Sequence, residues 1–177
     1  MKQTISLAII MMLAISGVFA KNKEARVSPH TTVNGTNVSV TYGQPSKKGR
    51  VIFGAKDLNP LVPYGDVWRT GADEATQVTF TKDVYIGGNA QKLAAGTYTL
   101  FTKPAPREWV FIFNSKLKQW GAFDYEQNKS KDVLTTSGVV KHLDHSVETF
   151  TITPQADGLL LEWDQVSVLL PVKFSDK

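Results

Sequence analysis

The order of apolar and polar positions along this chain is that of short strands. Between residues 37 and 42, Val38, Val40 and Tyr42 alternate with Ser39 and Thr41, the period of two that lays one face of a strand on a core. Gly43, Pro45 and Gly49 end the run. The alternation returns over residues 76–80, with Val78 and Phe80 inward, and over residues 84–86. Gly87-Gly88-Asn89 is hairpin-turn chemistry. Residues 93–96 form a second turn, 97–102 a strand and 104–107 the close of its hairpin. Residues 109–113 (Trp-Val-Phe-Ile-Phe) are apolar throughout, which predicts a central strand covered on one side by a second sheet and on the other by a loop. Residues 120–125 read as a strand or rim segment and 126–131 as a polar loop. Four further strands are expected at 133–143, 147–153, 159–164 and 166–174, with turns at Asp157-Gly158 and Asp164-Gln165. In the last strand Val166, Val168, Leu170, Val172 and Phe174 share one face. Beyond the N-terminal region no window carries a helical period. Many short strands with turns between them predict an all-β fold, an antiparallel two-sheet sandwich. It is jelly-roll-like or immunoglobulin-like, and the strand number favours the jelly-roll.

The N-terminus follows a different pattern. Lys2 precedes an apolar run over residues 5–15, and Val18-Phe19-Ala20 offers a small-residue ending before Lys21. These are the parts of a secretory signal peptide cleaved after Ala20. The uncharged run from Gln3 to Ala20 falls short of the roughly 20 residues that a membrane span needs. The chain thus divides into a signal peptide (1–20), a loose lead-in with room for an edge strand (21–33) and a single β-sandwich domain (34–177). The expected location is outside the cytoplasm, in the periplasm or the extracellular medium, with membrane contact only through the leader. The chain has no Cys, which excludes disulfides, thiol catalysis, thiolate metal sites and a lipid-anchored N-terminal Cys. A net charge of +4 across 177 residues, with no long basic run, is a solubility feature and offers no stripe for nucleic acid.

The chemistry is concentrated between Gly49 and Thr76. Arg50 and Arg69 sit beside Phe53 and Trp68 and close to glycines, and Asp73 and Glu74 follow directly, with Tyr64 and Asp66 nearby. A guanidinium among core-type residues needs a carboxylate, because a buried unpaired charge is costly. The set is therefore either an internal ion-pair lock or the floor of a site. The segments Gly49-Arg50-x-Ile52-Phe53-Gly54, residues 62–76 with their Trp68-Arg69-Thr70-Gly71-Ala72 string, Ala95-Gly96-Thr97-Tyr98, Glu108-Trp109 and Trp120-Gly121 resemble the exported bacterial family catalogued as domain of unknown function 2911. The resemblance covers nearly all of the chain after its first thirty or so residues. Asp73 stands where the family usually has Asn. The family has no established activity to transfer. The "asparagine synthetase" label on some members has no support here, since the chain has neither a nucleotide-binding loop nor an N-terminal Cys nucleophile.

Three functions fit these residues. The first is a binding module whose polar pocket is built from Arg50, Arg69 and Glu74, with Trp68 and Tyr64 as walls. An Arg pair can hold a carboxylate or sugar oxygen in bidentate geometry, and the ligand would be a carbohydrate or another small polar envelope component. In this reading Trp68 is partly buried over the arginines, while Trp109 and Trp163 are core. Exposed Trp120 and Tyr125 are further candidates for stacking on sugar faces. The second is a metal-free hydrolase using Glu74 and Asp73, which requires a partner acid at about 5–10 Å. The third is a structural or protein-interaction domain with an internal ion-pair lock. His142, Asp144 and His145 could place three donors near a metal, but in a strand His145 points away from the other two. No residue pattern calls for a cofactor.

Overall fold

The computed structural model describes residues 28–175. The expected leader and residues 21–27 of the lead-in lie outside the described residues. The lead-in does supply an edge strand, β1 (His30–Gly35), paired antiparallel with β2 (Val38–Gly43). The chain continues through β3 (Phe53–Gly54), β4 (Val62–Pro63), β5 (Ala72–Phe80), β6 (Val84–Ile86), β7 (Gln91–Leu93), β8 (Gly96–Lys103) and β9 (Glu108–Asn114). A one-turn helix α1 (Tyr125–Asn128) precedes two long strands, β10 (Asp132–Gln155) and β11 (Gly158–Phe174).

The strands form one hydrogen-bonded ladder in the order β1-β2-β5-β8-β9-β10-β11-β6-β7. This ladder folds over on itself. Val38, Val40, Tyr42, Val78, Phe80, Leu100, Trp109, Phe111 and Phe113 from its first half share one apolar cluster with Val84, Ile86, Phe150, Ile152, Leu159, Leu161, Trp163, Val168, Leu170 and Val172 from its second. The result is the expected all-β, sandwich-like arrangement of antiparallel strands. The fold-over lies in β10, whose first part pairs with β9 (Asp132 to Val139) and whose remainder pairs with β11 (Val140 to Gln155). The segment after β2 also runs beside the second part of β10: Phe150 N–H donates to Pro45 O (2.9 Å) and Lys47 N–H to Glu148 O (2.7 Å). The Tyr42 hydroxyl accepts from Ile152 N–H at 2.9 Å.

Several local expectations change. The four strands expected after residue 133 are two. The polar stretch around residues 142–147 is absorbed as register shifts within β10, where a bulge accommodates residues that would break an ideal ladder. Asp164 takes φ 52° inside β11 and does not end it. The turn at Asp157-Gly158 forms as expected, with Gln155 opposite Gly158. The stretch expected as a polar loop carries α1 and a 3₁₀ turn over Lys129–Lys131, both too short to leave a periodic signature.

Strand β9 is covered on both faces. Trp109, Phe111 and Phe113 enter the main core, while Ile112 joins Ala75, Phe101 and Tyr125 in a second cluster, with Val67, Val110 and Ala122 packed against it. A lid of residues 119–125 and α1 closes that outer face. Tyr125 opens α1, stands at 5.1 Å edge-on to Phe101 and donates its hydroxyl to Asp132 Oδ2 at 2.8 Å. Burial, and then this hydrogen bond, push the Tyr125 phenol above its ordinary pKa of 10.0.

Candidate functional site

The stretch from Gly49 to Thr76 is held mainly by backbone hydrogen bonds. Its first half is clipped by the short parallel pair β3–β4, with Val62 N–H donating to Ile52 O (2.8 Å) and Tyr64 N–H to Gly54 O (2.8 Å). Val62 and Pro60 are buried and fasten the connector, whereas Leu58 and Leu61 are exposed. The second half is fastened to β8 through Trp68 and Thr102, whose backbones exchange hydrogen bonds of 2.7 and 2.9 Å. Thr70, wholly buried, holds φ 55°, a costly conformation for a β-branched residue. It is held from both ends: its single hydroxyl proton is shared between Trp68 O (3.4 Å) and Thr102 Oγ1 (3.1 Å), and its carbonyl accepts from Thr76 Oγ1 (2.6 Å).

The expected ion pairs do not form. Arg50 is exposed and donates to the carbonyls of Lys47 (3.0 Å) and Ser46 (2.6 Å), capping a turn. Arg69, half-buried, sends Nη1 to the Asp73 carbonyl at 3.4 Å and makes no ion pair among the described residues. Asp73, at φ 61°, turns its carboxylate to Ser28 N–H (2.8 Å). Glu74 is exposed, and its backbone bridges to Trp120. The two arginines belong to separate hollows. Arg50 lines one of about 500 Å³ with Gln44, Pro45 and Lys48, and Arg69 lines another of about 270 Å³. Sequence proximity did not become spatial proximity because the β3–β4 clip and its connector stand between them.

Trp68 also moves relative to expectation. It is 7% exposed and lies within the main core, stacked on Trp163 (5.8 Å, 18° between planes) and edge-on to Phe53, Trp109 and Phe150. Its indole N–H donates to Gly71 O at 3.0 Å, so the ring is satisfied as well as buried. It still reaches the Arg69 hollow as part of the floor, with Val62 and Val67. Tyr64, half-buried, lines neither hollow.

The Arg69 hollow is completed by Leu61, Pro63 and Asp66 and, from the lid, by Ala122 and Phe123. Asp66 is held by Lys56 at 2.9 Å. The Phe123 ring is 77% exposed at the rim. Gly121 makes the approach of lid and loop possible. Its N–H donates to Asp73 O (2.9 Å), and it holds φ 64°. A Cβ there would stand 2.8 Å from the Phe123 ring and 3.2 Å from Arg69 Nη1. The guanidinium and the ring therefore flank one glycine. Trp120, 56% exposed, precedes it. Phe123 was not singled out by sequence reasoning; the signal available was a large apolar residue two positions after Gly121, in a stretch read as a strand or rim segment.

The remaining candidates stay apart from this place. His142, Asp144 and His145 are exposed on β10, with His145 Nδ1 2.7 Å from Asp144 Oδ1. That hydrogen bond, and the imidazole charge behind it, hold the Asp144 carboxyl below its usual range. Among the described residues no three His, Asp or Glu side chains gather in a way that could hold a metal.

Fold and site together define a Cys-free β-sandwich-like domain with a small, aromatic-rimmed hollow over a single arginine. The chain belongs to the family described as a protein of unknown function (DUF2911), whose model matches residues 24–172. No curated protein and no solved structure matches it.

Proposed function

We propose that this protein is an exported binding module whose Arg69 hollow takes a small polar ligand, a carbohydrate being the class that fits. The observation that carries the reading is the meeting of the exposed Phe123 ring and the Arg69 guanidinium over Gly121, at the mouth of an apolar-floored hollow. A large aromatic ring left in water on a structured lid is available to stack on the apolar face of a sugar, and a guanidinium beside it binds ring oxygens. The volume, about 270 Å³, falls just below the usual range for ligand pockets of roughly 300–1,000 Å³. It has room for one sugar ring and leaves the rest of an oligosaccharide outside. The hydrolase reading has less support, because the Asp73 carboxylate is committed to Ser28 N–H. The lock reading keeps its loop and loses its ions. Export rests on the leader pattern of residues 1–20.

Titration calorimetry of the purified protein with a panel of neutral and acidic oligosaccharides tests the proposal. At least one is expected to bind saturably, and Phe123→Ala to bind it at least tenfold more weakly with an unchanged melting temperature. A panel without any binder, or a Phe123→Ala variant that binds as well as the parent, overturns it.

A further inference from the structure

Resting on that reading, the charge balance inside the hollow narrows the ligand class. We infer that the site is built for an acidic sugar, a uronic-acid residue whose carboxylate lies on Arg69 while its ring face lies on Phe123. Two charged side chains line the hollow, and they are not equivalent. Asp66 has its cation in place, Lys56 Nζ at 2.9 Å. Arg69 has only a 3.4 Å contact to the Asp73 carbonyl, and the nearest acid in sequence, Asp73, turns its carboxylate to Ser28.

Most of the guanidinium N–H donors of Arg69 are thus left for an incoming group. A half-buried guanidinium without a carboxylate partner keeps its charge free for an incoming anion. The matching group is a planar carboxylate, which takes two parallel N–H···O bonds from the guanidinium fork. A neutral sugar hydroxyl would satisfy one donor and leave the charge uncompensated. The exposed acids nearby, Glu74 and Asp124, do not line the hollow, and the Glu74 backbone pairs with Trp120. The apolar floor of Val62, Val67 and Trp68 offers no competing polar contact. Orientation is then fixed by a single charged anchor and a single ring.

The test compares oligogalacturonate of two or three residues with the matching neutral galactose oligomer and with the oligogalacturonate methyl ester, by calorimetry at low and at raised salt. The acidic oligomer is expected to bind at least tenfold more tightly than either uncharged form, and the advantage to shrink as salt rises. Arg69→Gln is expected to remove the preference while leaving weak binding of all three. The methyl ester makes the same comparison from the ligand side, so it decides the matter even if the Arg69 variant does not fold. Equal binding of acid and ester by the parent protein, or a preference that survives Arg69→Gln, overturns the inference and leaves the binding-module reading standing. Absence of binding by all three overturns this inference, and the module reading falls only if the wider panel is silent too.

Discussion

On its inner face the sheet of β5, β8 and β9 meets an interlocked set of aromatic rings from Phe53, Trp68, Trp109, Phe150 and Trp163, packed at centroid separations of 4.9–5.9 Å. On its outer face it meets a thin lid, in which Tyr125 is the one aromatic side chain fully covered and Phe123 and Trp120 stand in water. The inner face stabilises the domain. The outer face carries the features that a stable domain does not need: an exposed ring, an unpaired guanidinium and a glycine at positive φ. Trp68 joins the two, being core by burial and hollow floor by position. The difference implies that changes to the lid should alter binding far more than folding, and changes to the aromatic set the reverse.

The strongest challenge to that division is Trp163→Ala. Removing a fully buried indole that packs on three other rings should cost about 3–5 kcal/mol, read as a lowered denaturation midpoint with an unchanged slope. A cost below about 1 kcal/mol would mean that the aromatic set does not hold the sandwich together.

The sequence made this inner face legible and the outer face much less so. Alternation found most of the strands, and the uninterrupted apolar run at 109–113 led to a strand buried on both sides, because burial leaves its mark in every residue of such a run. What failed was inference from neighbourhood along the chain. Arg50, Arg69, Asp73 and Glu74 lie close in sequence, yet each is turned to a backbone partner, to solvent or to another hollow by the β3–β4 clip and the positive φ values at Thr70 and Asp73. Hydrophobic pattern does not encode such turns. Phe123 escaped notice for a related reason, since an exposed aromatic and a core aromatic are written with the same letter.

A middle-sized effect is expected at Tyr125→Phe, which leaves Asp132 Oδ2 without its donor and should cost about 2 kcal/mol at neutral pH. The sign of its pH dependence follows from the raised phenol. The folded protein favours the protonated form, so the stability contributed by Tyr125 is fully present below about pH 10 and is lost as pH rises beyond the phenol's ordinary value. The gap between parent and variant, measured by denaturant unfolding, should therefore close between neutral and strongly alkaline solution. A gap that widens would show that the hydroxyl is not buried in this bond. A smaller change in stability than at Trp163 or Tyr125 is expected at Gly121→Ala, about 1–2 kcal/mol for forcing a side chain into the left-handed region, although its methyl would displace Phe123 and Arg69 together. Ligand binding should fall at least tenfold in this variant; retention of full affinity would separate the glycine from the site.

One consequence of β10 concerns how the molecule comes apart. Because a single continuous strand is hydrogen-bonded to β9 by its first part and to β11 by the rest, neither half of the sandwich has a boundary at which it could melt alone. Loss of pairing on one side frees the same backbone that registers the other, so unfolding should be all-or-none. The tight β10–β11 hairpin, whose partners are near in sequence, is the natural place for refolding to begin.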